Sequence, residues 1–285
     1  GLDKLGAIHN DWLKSFLWGD EDQTLLAHRG SYKTTVVSLF LALHAVVNPN
    51  ETTLFFRKTD PDTKDVIRQT ANILQSECIC EIVYQLFGRE LRFAKLTDNE
   101  ISSDLVTRVS GQSQILGLGI GTSVTGKHAD VVVTDDIVNL IDRVSRAKRD
   151  ETKRFYQELQ NVKNRTGRFI NTGTPWHKED AICMMPNVSR FDCYSTGMIS
   201  KLELQNLRRS MSDSLFAANY ELRHIADGAA MFANPQFTAE LHATSGGMAH
   251  IDAAYGGADW TAYTVLKQDP KGQWYGFGKC WQKHV

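Results

Sequence analysis

Lys33 and Thr34 lie where a short loop meets the start of a long apolar helix, within the segment LLAHRGSYKTTVVSLFLALHAVV (residues 25–47). Free backbone N–H groups at a helix N-terminus bind anions, a lysine there can reach nucleotide phosphates, and a threonine hydroxyl can bind Mg²⁺. A phosphate-binding loop usually reads Gly-x-x-x-x-Gly-Lys-Ser/Thr, whereas this chain has Ala27 and Tyr32 at the two glycine positions. By itself, the segment is equally consistent with a phosphate site and with an ordinary strand–helix turn.

Two further segments place polar side chains at the ends of predicted strands. The apolar run ADVVVTDD (residues 129–136) ends in two acids, of which Asp135 could hold the Mg²⁺ shell and Asp136 could polarise an attacking water. In NTGTPW (residues 171–176), Thr172 and Thr174 could sense a γ-phosphate. Each segment could simply end a strand in a turn. Together they favour a nucleotide site, because ligands bind at the carboxyl ends of parallel strands.

The elements that position these residues alternate between strands and helices, which predicts an α/β fold with a mostly parallel sheet. Aromatic side chains in a predicted first helix, among them Trp12 and Phe16, are better explained by core packing than by stacking on a base. Predicted strands lie at 24–29, 53–59, 90–96, 104–110, 129–136 and 167–175, and predicted helices at 63–87 and 145–163. The glycine-rich segment 117–127 is predicted to be a flexible loop near the nucleotide or DNA. Two short helices are expected after residue 200, and three consecutive strands after residue 245.

Composition restricts the class of protein. The chain has 285 residues, 42% of them hydrophobic, and a formal net charge of −1, so a nucleic-acid surface would have to be local. Residues 143–168 hold nine Lys/Arg and three Asp/Glu. This segment is either a solvated helix face or a contact for DNA or a neighbouring subunit's nucleotide. Arg143 and Arg146 are the first candidates for that contact, and Arg149 is a third. Five cysteines show neither zinc spacing nor a disulfide framework, which favours a reducing compartment. No signal peptide or bilayer-spanning run is expected.

The order of the motifs resembles the large subunit of tailed-phage and prophage terminases, the DNA-packaging motors. The segments that carry the resemblance are HRGSYKTT, GKHADVVVTDDIV, RFINTGTPWHKEDAI, AANYELRHI and HIDAAYGGADWTAYTVL. The resemblance implies an ASCE-type P-loop ATPase that uses ATP and Mg²⁺. Arg29 matches an arginine that acts on the γ-phosphate in cis, Thr174 matches the coupling threonine, and Asp136 stands where the family usually has Glu. The residues implied to bind the nucleotide are Gly30, Ser31, Lys33, Thr34, Thr35, Asp135 and Thr174, with Thr34 and Asp135 also binding the metal.

Terminases also carry an RNase H-like nuclease, which implies a second domain here. Asp252 matches the acid of its first strand, and Asp259 is a weaker match that could equally be a turn aspartate. Both would bind Mg²⁺ or Mn²⁺, and the later acids of such a site have no match, so cleavage by this chain alone is not expected. The implied organisation is an ATPase domain at 1–198, a helical linker region at 199–244 and the first part of a nuclease domain at 245–285.

The resemblance further implies partners and a location: double-stranded DNA, a portal protein, a small terminase subunit and a homo-oligomeric ring on the procapsid, in the cytoplasm of a bacterial host. The resemblance implies no membrane partner, and it allows a monomer in solution. Two alternatives stay open. One is another ASCE-type DNA translocase, and the other is a prophage remnant or scaffold that binds DNA and portal protein without turnover.

Overall fold

The computed structural model describes residues 4–224, 244–253 and 260–281. Contacts divide the chain into two compact units, Gly1–Asp227 and Gly228–Val285. The helices are α1 (Ala7–Trp18), α2 (Lys33–Val47), α3 (Asp60–Leu74), α4 (Glu77–Phe87), α5 (Leu140–Val144), α6 (Arg146–Val162), α7 (Cys193–Thr196), α8 (Lys201–Ser210) and α9 (Asp213–Asn219). The strands are β1 (Gln23–Ala27), β2 (Thr53–Arg57), β3 (Phe93–Leu96), β4 (Glu100–Ser103), β5 (Ile115–Gly119), β6 (Ala129–Asp135), β7 (Lys163–Gly173), β8 (Val188–Phe191), β9 (Met248–Asp252), β10 (Thr261–Gln268) and β11 (Trp274–Trp281).

The first unit is built on an eight-stranded sheet in the order β3-β4-β5-β2-β6-β7-β1-β8. The strands from β5 to β8 in that order run parallel, while β3 and β4 add an antiparallel edge. The predicted α/β class with a mostly parallel sheet is therefore confirmed. In this order β2, β6, β7 and β1 are neighbours, so the loops that follow them open at one edge of the sheet.

Both faces of the sheet are buried along its central strands, which explains the unbroken apolar runs in those strands. In β6, Val131 and Val133 belong to one hydrophobic cluster and Val132 to a second cluster, because successive side chains of a strand point to opposite faces. The first cluster includes α1 and α2, and both Trp12 and Phe16 are buried in it. The second includes one side of α6, from Phe155 to Val162.

Three sequence-based assignments need correction. The predicted single helix at 63–87 is two helices, because Ser76 caps a new N-terminus by accepting a hydrogen bond from the N–H of Ile79. Residues 104–110 form turns rather than a strand, since the antiparallel partner of β3 is β4, just before them. The glycine-rich segment begins as β5, where Gly117 lies against Ile67 and Thr63 of α3 with no room for a Cβ atom. Its glycines therefore serve close helix–sheet packing as well as a loop.

The C-terminal parts of the described chain follow the predicted pattern. The helices α8 and α9 are the two short helices expected after residue 200, and they belong to the first unit. The second unit holds a three-stranded antiparallel sheet in the order β11-β10-β9, as predicted. The assignment of residues 199–244 to an interdomain linker stays a prediction, since residues 225–243 lie outside the described part. No helix in the described ranges is long and apolar enough to cross a bilayer.

Candidate nucleotide-binding site

The loop between β1 and α2 takes a conformation that its sequence does not favour. Gly30 has a φ of +83°, which suits glycine, but Tyr32 has a φ of +60°. A left-handed backbone at a tyrosine is strained, and such strain is concentrated at functional sites. The conformation places Lys33 and Thr34 in the first turn of α2. The ordinary glycine is therefore replaced by a residue that adopts the left-handed geometry.

Lys33 connects this loop to the acids at the end of β6. Its Nζ lies 3.0 Å from Oδ2 of Asp136, and its side chain is 10% exposed. Asp136 has a φ of +47°, a second left-handed non-glycine residue, and its N–H donates to the carbonyl of Thr172 in β7. The strand ends of β6 and β7 thus hold the acid that faces the lysine.

Asp135 is fully buried and is held by hydroxyl groups from two elements. Thr34 Oγ1 donates to Oδ2 over 3.0 Å, and Thr172 Oγ1 donates to Oδ1 over 2.5 Å. Burial raises the pKa of Asp135, the neighbouring Asp136 raises it further, and the cations Arg57 and Lys33 oppose that shift. A buried carboxylate under these conditions favours an added positive charge at its free lone pairs.

These groups fit a nucleotide-bound Mg²⁺. A threonine hydroxyl beside a carboxylate offers the hard oxygen ligands that Mg²⁺ prefers. Ser31 Oγ, in the same loop, is buried without a hydrogen-bond partner among the described residues, so an acceptor is missing there. No group of three or more His, Cys, Asp and Glu side chains in the described ranges could hold a metal without further ligands. A phosphate-bound Mg²⁺ needs no such group, because the phosphates and water supply the rest of its shell.

A cavity of about 380 Å³ opens beside these residues. That volume lies within the range of small-molecule sites. Thr174 lines it and is buried. The charged side chains around the cavity are Arg29, Lys33, Arg57, Lys58, Asp62 and Asp136.

Arg29 also lines this cavity. Its backbone N–H donates to the carbonyl of Asn219, the last residue of α9, over 2.8 Å. Its side chain is exposed and has no hydrogen bond or ion pair to the described residues. The guanidinium is therefore available to a ligand. Thr35, also expected to contact the nucleotide, lies in the first turn of α2 and is half-buried.

The sequence reading missed Arg57 and Lys58, which follow one another at the end of β2. Arg57 Nε lies 3.1 Å from Asp135 Oδ2, and Arg57 Nη2 lies 3.5 Å from Asp136 Oδ2. Register explains the proximity, since Phe56 pairs with Thr134 of β6. Two consecutive cations directly after an apolar strand were the available signal. Without the strand order, nothing placed them beside the acids.

Lys58 takes part in a separate network on the other side of the strand end. Its Nζ donates to both oxygens of Asp142, over 2.9 and 2.7 Å, and to Thr152 Oγ1 over 2.8 Å. Asp142 is fully buried and also accepts from the N–H of Asn139 and from Thr152 Oγ1. This network fixes α5 and α6 against the end of β2.

The basic segment 143–168 is only partly a charged surface. Arg149 and Arg168 are buried, and the guanidinium of Arg149 donates to the carbonyls of Asp142 and Arg143. Arg149 therefore holds the C-terminal end of α5 and is wrong as a candidate for DNA contact. Arg146, by contrast, is 81% exposed.

The second unit provides less information about chemistry. Asp252 is the last residue of β9, is exposed, and pairs in register with Ala262 of β10. Asp259, the second predicted metal ligand, lies outside the described residues.

The sequence matches no protein-family model, and no curated protein matches it. Solved structures do share its fold. One is a mutant of the ATPase domain of the large terminase from Thermus phage P74-26, with a TM-score of 0.52 and 11% identity over 78% of this chain and 94% of that one. Another is the large terminase of a thermophilic bacteriophage in complex with ADP, with a TM-score of 0.50 and 11% identity over 96% of this chain and 68% of that one. The chain therefore shares the α/β fold of phage large terminase ATPase domains.

Proposed function

We propose that this chain is the large subunit of a phage or prophage terminase, which hydrolyses ATP to drive double-stranded DNA into a procapsid. The observation that carries the proposal is the meeting of Lys33, Thr34, Asp135 and Asp136 at one edge of the parallel sheet. The shared fold of the terminase ATPase domains supports it. ADP is bound in one of those terminases, which supports a nucleotide as the ligand of the cavity.

Each residue has a role in this proposal. The loop from Gly30 to Thr35 binds the phosphates through backbone N–H groups, Lys33 and the start of the α2 dipole. Thr34 and Asp135 would hold Mg²⁺, which neutralises charge on the phosphate chain. Arg29 stabilises charge on the transferred phosphoryl group.

Asp136 is the base that orients the attacking water, and Thr174 detects the γ-phosphate. Lys33 has to exchange Asp136 for a phosphate oxygen when the nucleotide binds, since its Nζ is paired with that carboxylate. Binding of ATP therefore frees Asp136 to contact water. In this way the lysine and the base are activated by the same event.

The motor role implies further partners that would act together with this site: DNA, a portal protein, a small terminase subunit and further copies of the chain in a ring on the procapsid. We place this assembly in the cytoplasm of a bacterial host. The alternative that binds nucleotide without turnover is distinguished by kinetics alone. DNA-stimulated release of phosphate supports the motor, and binding without release supports the inactive remnant.

The deciding experiment is nucleotide binding by the wild-type chain and by Lys33→Ala. Lys64→Ala is the matched control, because Lys64 is exposed on α3. The proposal expects Lys33→Ala to weaken ATP binding strongly and Lys64→Ala to leave it unchanged. Equal binding by all three proteins would contradict the assignment of the loop.

We also propose that strands β9 to β11 begin an RNase H-like nuclease domain in which Asp252 binds a divalent ion. The three antiparallel strands and the exposed carboxylate support this. Two-metal cleavage needs several convergent carboxylates. Because the later acids of such a site have no match in this chain, the test uses a longer natural form of it, incubated with plasmid DNA and Mn²⁺. Cleavage that is lost in Asp252→Ala supports the role, and cleavage that persists in Asp252→Ala contradicts it.

A further inference from the structure

Arg57 forms ion pairs with both acids of the proposed nucleotide site but donates a hydrogen bond to neither. Its Nε is 3.1 Å from Asp135, yet that buried N–H has no aligned acceptor, so the contact is an ion pair without a hydrogen bond. Its Nη2 is 3.5 Å from Asp136 Oδ2, again without a hydrogen bond. A guanidinium carries five N–H donors in a rigid fork. Arg57 therefore still has N–H groups that can donate hydrogen bonds to a ligand.

Lys58, the next residue, has all its N–H donors engaged in hydrogen bonds. It also lines the cavity, but its ammonium group donates three hydrogen bonds to Asp142 and Thr152. All three donors of an ammonium are then used. Of the two cations at the end of β2, only Arg57 can bind an incoming anion without breaking an existing network.

One oxygen atom, Asp136 Oδ2, lies between the two cations at the acid pair. It is 3.0 Å from Lys33 Nζ and 3.5 Å from Arg57 Nη2. A carboxylate oxygen and a phosphate oxygen are similar anionic acceptors. The position between Lys33 and Arg57 can thus bind an anion, and in this structure the Asp136 carboxylate occupies it.

We propose that Arg57 distinguishes nucleoside triphosphate from diphosphate at this site, by exchanging Asp136 for the terminal phosphate while keeping Asp135. The inference rests on the proposed ATPase function and deepens it. A diphosphate lacks the terminal phosphate that would occupy this position, so the contact between Arg57 and Asp136 persists. A triphosphate replaces Asp136 Oδ2 and releases that carboxylate toward water. Arg57 thereby connects the presence of the terminal phosphate to the acid pair.

Arg29 cannot take this role in the same way. Its side chain is exposed and contacts neither acid among the described residues. It can place positive charge beside a bound phosphate, but it has no contact through which that phosphate could affect Asp135. The connection to the acids is the property that separates the two arginines.

The experiment measures the affinities of ADP and of a non-hydrolysable ATP analogue, both with Mg²⁺, by calorimetry. It compares the wild type with Arg57→Gln, Arg57→Lys and the control Arg68→Gln, which removes an exposed arginine of α3. A hydrogen bond between charged groups accounts for about tenfold to a hundredfold in affinity. We expect Arg57→Gln to lose the preference for the triphosphate by that factor, with ADP affinity changed far less. Arg57→Lys should also lose most of the preference, because an ammonium cannot contact Asp135 and a phosphate with two arms of a fork.

The outcomes separate this inference from the proposed function. If the wild type binds neither nucleotide, the proposed function fails and the inference fails with it. If the wild type binds both but Arg57→Gln weakens both by the same factor, Arg57 is a plain counter-ion and only the inference fails. If Arg57→Lys restores the wild-type preference, charge alone is sufficient and the inference is also overturned. Thermal unfolding of each variant shows whether it is folded, and Arg57→Lys decides the question if Arg57→Gln is not.

Discussion

The ammonium group of Lys33 lies 3.0 Å from Oδ2 of Asp136, so the residue that would bind the phosphates is paired with the residue that would activate water. Neither can act on a nucleotide while this ion pair is intact. Asp136 also has a left-handed backbone conformation, and its N–H donates to the carbonyl of Thr172, so the strand end fixes the backbone that carries this carboxylate. The carboxylate therefore competes with a phosphate for the lysine.

The variant Asp136→Asn should bind ATP at least as tightly as the wild type and hydrolyse it far more slowly. The amide removes the anion that competes for Lys33, which favours binding, and it cannot accept a proton from water. Loss of a general base typically lowers the rate about a hundredfold to ten-thousandfold. Calorimetry and a phosphate-release assay measure the two effects. Wild-type turnover by Asp136→Asn would show that the base lies elsewhere.

Replacements of Tyr32 should reveal its left-handed conformation. A side chain with a Cβ atom at positive φ costs roughly 1 kcal/mol relative to glycine. Tyr32→Gly should therefore be more stable than Tyr32→Ala by about 1 kcal/mol, although glycine usually destabilises ordered positions. Urea unfolding of both variants gives the difference. If Tyr32→Ala is the more stable, the loop does not hold this position at positive φ.

The sequence alone identified those site residues that follow or begin a segment with a clear apolar pattern. The apolar run before Asp135 and Asp136, and the helix that begins at Lys33, predicted local structure and its position at strand ends. The prediction that these ends meet followed from the parallel sheet alone. This part of the candidate site could therefore be predicted from the sequence.

The rest depended on contacts between segments far apart in the chain. Arg57 lies beside Asp135 only because β2 pairs with β6, and no local pattern states that pairing. Arg149 was misjudged for the same reason. A charged helix predicts solvent exposure, but this residue faces inward to hold the carbonyls at the end of α5. The break before α4 was missed because the apolar periodicity continues across Ser76.

Lys58→Met should destabilise the protein by about 3–5 kcal/mol, because it leaves a buried carboxylate without its cation. Asp142 is fully buried, and Lys58 is 14% exposed. Adding Asp142→Asn to Lys58→Met should recover part of the loss, since the amide carries no charge and can still accept from Thr152. Free energies of unfolding from urea titration provide the comparison. A double variant no more stable than Lys58→Met would mean that the ion pair is not the source of the effect.

Affinity for DNA should fall steeply with salt concentration, with part of that dependence due to exposed arginines of α6. Each phosphate contact contributes nearly one unit to the slope of log affinity against log salt. The double variant Arg146→Gln, Arg154→Gln should lower the slope by up to about two units, because both side chains are exposed. Arg149→Gln serves as a contrast and should lower stability instead. A slope that stays unchanged in the double variant would place the DNA surface elsewhere.

The stability of the first unit should decrease below about pH 6.5, and His28 should be one cause. His28 lies in the loop between β1 and α2 and is fully buried, with Nδ1 2.9 Å from the carbonyl oxygen of Arg29 and Nε2 2.7 Å from Thr196 Oγ1. Burial lowers the pKa of His28, the Arg29 carbonyl opposes that shift, the nearby charge of Lys33 adds to it, and Asp192 opposes it.

Because the folded protein takes up this proton less readily than the unfolded chain, the stabilisation from a neutral His28 is complete above the ordinary histidine pKa of about 6.5. It is lost progressively as the pH falls from that value toward the lowered pKa of the folded state. His28→Gln, which cannot be protonated, should therefore show a smaller drop in unfolding temperature between pH 8 and pH 5.5 than the wild type. His128→Gln is the matched control, since His128 is exposed and its loss should leave the pH dependence as it was. An equal drop in the wild type and in His28→Gln would assign the acid sensitivity to other groups.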